Sequence, residues 1–209
     1  MFYRDVISLQ KILTKPLPGR AHQLPMAPYH RLEQLRENVI PDDARTGCTL
    51  LLLFPDADLQ TLFVLIRRNE YAGTHSGQIS FPGGKPKPGE AMHKAALRET
   101  HEETGVHPDS ITLLGELTPL YIPPSNFLVY PFVGFVDHTP PFNPDPREVQ
   151  EILKAPADAL LQKETKQDAK VKVAEHHEIT VPAYMLEGYP VWGATAMMLS
   201  EFAQIWGNK

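Results

Sequence analysis

The stretch that most restricts how this chain can fold is residues 84–106, GKPKPGEAMHKAALRETHEETGV. Pro86, Pro88 and Gly89 keep the backbone ahead of Glu90 out of a helix. Between 91 and 104 there is no glycine or proline, and Ala95, Ala96 and Leu97 favour helix. Gly105 is placed to end it in the left-handed conformation. The spacing therefore predicts a loop followed by a helix over 91–104. On that helix Glu99, Glu102 and Glu103 stand at i, i+3 and i+4, on one face. Three like charges so close repel, and Arg98 alone cannot neutralise them. A cation among the oxygens would relieve the repulsion. Carboxylates without a cysteine or a clear histidine partner suit Mg²⁺ or Mn²⁺ rather than zinc. Such an ion commonly binds phosphate and can activate water against it. A solvated acidic helix face is the plainer alternative, and the pattern alone leaves both open.

The flanking segments supply strands. Residues 45–68 read as a hairpin, with CTLLLLF and TLFVLIRR as strands and PDADLQ as the turn. Ile79 and Phe81 mark a short strand running into Pro82, Gly83 and Gly84, where the two glycines let the backbone pass close to a metal and a phosphate. Residues 110–120 and 129–136 read as further strands, with the intervening YIPPSN a rigid loop. Tyr121 and Phe127 are expected to pack against the core, base stacking being the alternative. Residues 138–147 form a turn-rich loop. Glu148 and Glu151 then share a helix face, or lie on opposite faces if the segment is extended. A short helix over 156–161 follows. KVKVAEHHEITVPAYML reads as a strand pair turning at EHHE, where His176 and His177 are expected to face solvent. An amphipathic helix over 192–206 closes the chain, with Ala196, Met197, Leu199, Phe202 and Ile205 as its buried side. This order predicts an α/β fold with one mixed sheet and helices on both faces.

Residues 1–46 read as an accessory segment, and 47–209 as the main domain. FYRDVISLQKIL is an amphipathic helix, with Phe2, Val6, Ile7, Leu9 and Leu13 as its candidate buried positions. HRLEQLREN is a second short helix. Two hundred and nine residues suffice for one sizeable core. A net charge of −5 gives no general footprint for nucleic acid, so an anionic substrate needs local positive charge or a metal. The single cysteine, Cys48, excludes an intrachain disulfide and a cysteine-based zinc site. No apolar run approaches the roughly 20 residues of a membrane span. Residues 1–20 lack the apolar core of a secretory signal. The expectation is a cytoplasmic enzyme with no membrane or nucleic-acid partner.

The stretch 84–106 resembles the Nudix box, G-x5-E-x7-R-E-U-x-E-E-x-G-U, where U is a bulky apolar residue. Gly84, Glu90, Arg98, Glu99, Glu102, Glu103 and Gly105 fill every fixed position, and Val106 fills the last U. Thr100 departs at the first. The resemblance implies a Nudix-type α/β/α sandwich, possible homodimer formation, and hydrolysis of a nucleoside diphosphate linked to another group. It implies divalent metal, Mg²⁺ or Mn²⁺, on Glu99, Glu102 and Glu103. Glu90 and Arg98 would join loop to helix by a salt bridge. Catalytic roles fall to Glu102 and Glu103, and to Glu148 as a general base or extra ligand beyond the box, with Glu151 in reserve.

Upstream, residues 67–85 resemble the segment that ends G-x3-F-P-G-G in the coenzyme A diphosphatases of the family. Arg68, Gly77, Phe81, Pro82, Gly83 and Gly84 match. Gly73 stands where that pattern has an arginine, and Asn69 where it has Ser or Ala. The resemblance implies cleavage of coenzyme A or a derivative into 4′-phosphopantetheine and 3′,5′-ADP. A Nudix hydrolase of ADP-ribose or dinucleotides is the alternative that Gly73 favours. A non-catalytic nucleotide sensor is a further one. The candidate substrate contacts are Arg67 and Arg68 at the end of their strand, His75 in the following loop, and the backbone of Gly83 and Gly84.

Overall fold

A computed structural model describes residues 1–69, 77–174 and 177–209. Gly73 and His75 lie outside the described residues, as do Glu175 and His176 of the EHHE turn.

The chain begins with α1, Phe2–Leu13, and passes through the short α2, Arg20–Gln23, and α3, Leu32–Glu37. Strands β1, Arg45–Pro55, and β2, Thr61–Arg68, form the expected hairpin. Two-residue strands β3, Ile79–Ser80, and β4, Gly83–Gly84, lead into α4, Met92–Thr104. Then come β5, Thr112–Glu116; β6, Leu120–Ile122; β7, Phe127–Phe135; and β8, Val149–Pro156. A second sheet of β9, Lys166–Ala174, β10, His177–Leu186, and β11, Tyr189–Trp192, precedes the closing α5, Gly193–Gly207.

The main sheet runs β3-β2-β1-β7-β5, with β8 also on β2, β4 on β1 and β6 on β7. It is mixed: β1 and β7 are parallel and the other pairs antiparallel. The expected single sheet is therefore two, because β9 to β11 pair only with one another among the described residues. Register explains the sandwich. In β1, Leu50 to Phe54 are all completely buried. Alternate residues point to opposite faces, so Leu51 and Leu53 join a large core with α1, α5 and the second sheet. Leu50, Leu52 and Phe54 join a smaller one under α4, with Ala95, Ala96 and Val106. Burying these five side chains contributes roughly 10 kcal/mol.

Several expectations shift. In α1, Phe2, Val6 and Leu9 fill the large core, whereas Ile7 is 53% exposed because it sits on the outer face of the helix. Residues 120–122 of the supposed YIPPSN loop and its approach are strand, because β7 supplies an antiparallel neighbour. Segment 148–156 is extended, so the shared helix face for Glu148 and Glu151 does not exist. All five positions expected to be buried on α5 are buried. Residues 1–46 pack on the main core. Glu201 of α5, fully buried, accepts hydrogen bonds from Gly19 N (3.0 Å), Gln23 Nε2 (2.8 Å) and Thr118 Oγ1 (2.6 Å).

Candidate active site

The site is built where β4 meets α4. Gly83 and Gly84 pair with Thr49 and Cys48 of β1. A methyl group on Gly83 would lie 2.2 Å from the Cys48 carbonyl oxygen, and φ there is +158°, so no side chain fits. One on Gly84 would lie 2.4 Å from the Glu99 carboxylate. The bare backbone of Gly84 is thus the surface on which Glu99 rests.

The helix starts and stops for local reasons. Its first turn follows Pro86, Pro88 and Gly89, and its C-terminus is closed by Gly105 at φ +79°, whose N–H donates to His101 O at 2.8 Å. A methyl on Gly105 would press within 2.9 Å of Asn143, so the turn-rich loop also needs glycine there. Thr100, the departure from the box pattern, is completely buried, and its hydroxyl donates to Ala96 O at 2.7 Å. The polar atom is satisfied within the helix, which is why the substitution is tolerated.

Arg98 organises the exposed half of the site. Its Nε and Nη2 donate to the two oxygens of Glu90, each at 2.9 Å. Nη2 also donates to Lys85 O (3.0 Å), and Nη1 to Glu99 Oε1 (2.7 Å) and Glu102 Oε2 (3.0 Å). Loop and helix are thereby joined through one guanidinium. Its bidentate bond, with the Lys87 N–H, holds the Glu90 carboxyl down at about 2. The same pair raises the guanidinium pKa above its ordinary value.

Glu103 faces inward. It is 1% exposed, accepts from Gly83 N at 2.8 Å, and is met by Arg68 Nη1 at 3.4 Å. Burial pushes its carboxyl up to about 7, opposed by Gly83 and Arg68 and reinforced by the charges of Glu99 and Glu148. Glu99, Glu103 and Glu148 are thus one electrostatic neighbourhood. Cys48 lies beside it, its thiol 3.5 Å from Gly84 O and pushed up to about 11 by burial, the mark of an inert thiol.

The oxygen donors fit a hard divalent cation. A desolvated carboxylate flanked by two more carboxylates is the arrangement a cation would relieve. Glu99, Glu102 and Glu103 could hold it. Among the described residues no three such groups already converge on one point, and Arg98 occupies oxygens of Glu99 and Glu102.

The two strand-end arginines part company. Arg68 points to Glu103. Arg67, one residue earlier, points to the other face, its guanidinium 5.2 Å from the Tyr189 ring centre and Nη1 donating to Tyr189 Oη at 3.4 Å. Tyr189 in turn donates to Glu151 at 2.9 Å. Arg67 and Glu151 are therefore not gathered with the box. Glu148 is exposed just before β8, and its carbonyl accepts from Asn69 N. One cluster escaped the sequence reading. Arg45 and Lys85 lie 4.4 and 5.3 Å from the Phe127 ring centre, next to Gly84. Only the pairing of β1 with β7 and β4 brings them together.

Comparison with known proteins agrees with this geometry. The NUDIX domain family matches residues 47–175. The chain is 29% identical over 181 residues to Nudix hydrolase 3 of Caenorhabditis elegans, spanning 78% of this chain and 74% of the relative. It is 34% identical over 146 residues to the mitochondrial coenzyme A diphosphatase NUDT8 of Homo sapiens, spanning 68% of this chain and 61% of the human protein. The solved Nudix hydrolase RenU of M. smegmatis shares the fold, with a TM-score of 0.57 at 15% identity over 79% of this chain and 87% of that one. The chain belongs to the Nudix family, hydrolases of nucleoside diphosphates linked to a second group. No helix among the described residues is long and apolar enough to cross a membrane.

Proposed function

We propose that this hydrolase cleaves the diphosphate of coenzyme A or a coenzyme A derivative, releasing 4′-phosphopantetheine and 3′,5′-ADP. The observation that carries the reading is the gathering of Glu99, Glu103 and Arg68 around the bare Gly83-Gly84 backbone. Its substrate is supported by the G-x3-F-P-G-G run at 77–84 and by similarity to the human coenzyme A diphosphatase.

In this reading Glu99, Glu102 and Glu103 would hold Mg²⁺, with Mn²⁺ as a substitute. When bound, the ion supplies charge neutralisation at the diphosphate and a water of lowered pKa. Arg68, 3.4 Å from Glu103, donates an N–H to a phosphate oxygen and so shares its positive charge between the two anions. Glu90 and Arg98 keep the loop seated on the helix so that Gly84 stays against Glu99. Water attacks one phosphorus in line, the anhydride P–O bond breaks, and the other phosphate leaves. The carboxylate of Glu102, or alternatively of Glu148, takes the water's proton.

The test is incubation of the purified protein with coenzyme A and Mg²⁺, with and without a chelator, and chromatographic separation of products. Metal-dependent appearance of 3′,5′-ADP is expected. Intact coenzyme A alongside AMP from ADP-ribose or NADH would overturn the substrate while keeping the chemistry.

A further inference from the structure

Several cations around the box are paired with carboxylates. Arg98 is held by Glu90, Glu99 and Glu102, Lys87 lies 3.8 Å from Glu102, and Arg68 meets Glu103. Arg45 and Lys85 are both exposed, and neither has a carboxylate within ion-pair distance among the described residues. They nevertheless converge on one ring, at 4.4 and 5.3 Å from the centre of Phe127. Arg45 is also tethered through Nη2 to the Ser125 carbonyl. Two like charges drawn to one place repel. The negative face of the ring offsets part of that, and a bound anion reached by both would offset more.

The position relative to the reacting groups is constrained. Lys85 directly follows Gly84, on which Glu99 rests. A methyl on Gly47 would lie 3.3 Å from Phe127 Cδ1 and 3.4 Å from Gly84 O, so ring and box backbone are in contact through β1. An anion held there would lie beside the box backbone, next to where the proposed function puts the diphosphate. A phosphate on the ribose of the same nucleotide meets that requirement. The pantetheine arm of coenzyme A carries no charge.

We propose that Arg45 and Lys85, seated on Phe127, form a second anion subsite that takes the 3′-phosphate on the ribose of the bound nucleotide and so sets preference for 3′-phosphorylated substrates. The inference rests on the proposed function for where the diphosphate lies. The subsite is a source of specificity and takes no part in bond breaking.

The experiment compares coenzyme A with its 3′-dephospho form in the full chain with Mg²⁺, for wild type, Lys85→Gln, Arg45→Gln, the double variant and Lys85→Arg. Wild type is expected to favour coenzyme A. In the double variant the ratio of the two kcat/KM values should fall about tenfold, through KM for coenzyme A with its kcat held. Lys85→Arg should retain most of the preference. An unchanged ratio in the double variant overturns the subsite. Calorimetric binding of 3′,5′-ADP and 5′-AMP separates this claim from the substrate assignment. If neither coenzyme A form is cleaved, tighter binding of 3′,5′-ADP that is lost in the double variant still supports the subsite. Equal binding of both nucleotides to wild type overturns it.

Discussion

Replacing Glu103 with glutamine should remove a pH-dependent liability from the core as well as a ligand from the site. The Glu103 carboxyl is 1% exposed and pushed up to about 7, against 4.5 for the ordinary group. At 1.36 kcal/mol per unit this is worth about 3 kcal/mol. The folded pKa is the raised one, so the folded state binds the proton more tightly than the unfolded chain. The stabilisation is complete below about 4.5, declines as pH rises, and is gone above about 7. Metal-free wild type should therefore lose stability between pH 5 and 8, lowering Tm by roughly 6 to 12 °C for a chain of this size. A divalent cation favours the ionised carboxylate, so added Mg²⁺ should raise Tm more at pH 8 than at pH 5.5. Glutamine keeps an oxygen for the Gly83 N–H and carries no titrating proton. In Glu103→Gln the Tm profile should flatten over this window and the Mg²⁺ increment should shrink. Activity should fall at least about a hundredfold. Calorimetric scans across pH, with and without Mg²⁺, measure all of this. A variant that keeps the wild-type slope and the wild-type Mg²⁺ increment would refute the burial argument and the metal role together.

Three other substitutions probe the frame. Gly83→Ala places a methyl 2.2 Å from Cys48 O and 2.7 Å from Thr49 Cα, both backbone atoms, so the pairing of β4 with β1 should break. Hydrogen exchange at Leu50 N, which donates to Pro82 O, would report it, with activity lost. Arg98→Gln frees three carboxylates from one donor and should cost about 2 kcal/mol, read by urea unfolding, with a larger fractional loss in kcat than in KM. Glu201→Gln turns an amide N–H₂ toward the donors of Gly19, Gln23 and Thr118. It should cost about 2 to 3 kcal/mol and speed proteolysis of residues 1–46 before the rest.

The box was legible because its signals are local. Pro86, Pro88, Gly89 and Gly105 set the ends of α4 through their own backbone preferences. The apolar run of β1 likewise announces a strand buried on both faces, and both cores follow from its alternation. β4 was not legible as a strand. Two glycines carry no side-chain pattern, and only Cys48 and Thr49 across the ladder make them one. The separation of Arg67 from Arg68 was legible in principle, since neighbours on a strand face opposite ways. Ile7 was misjudged because a helix pattern does not say how wide the neighbouring surface is. The Arg45, Lys85 and Phe127 cluster joins residues far apart in the chain, and no spacing rule connects them.

The central claim is tested most directly by kcat/KM for coenzyme A measured beside ADP-ribose, NADH and a diadenosine polyphosphate under saturating Mg²⁺. Coenzyme A or an acyl form should lead the series by at least about tenfold, with 3′,5′-ADP as the nucleotide product. A series led by ADP-ribose or a dinucleotide, with coenzyme A at the bottom, would contradict it.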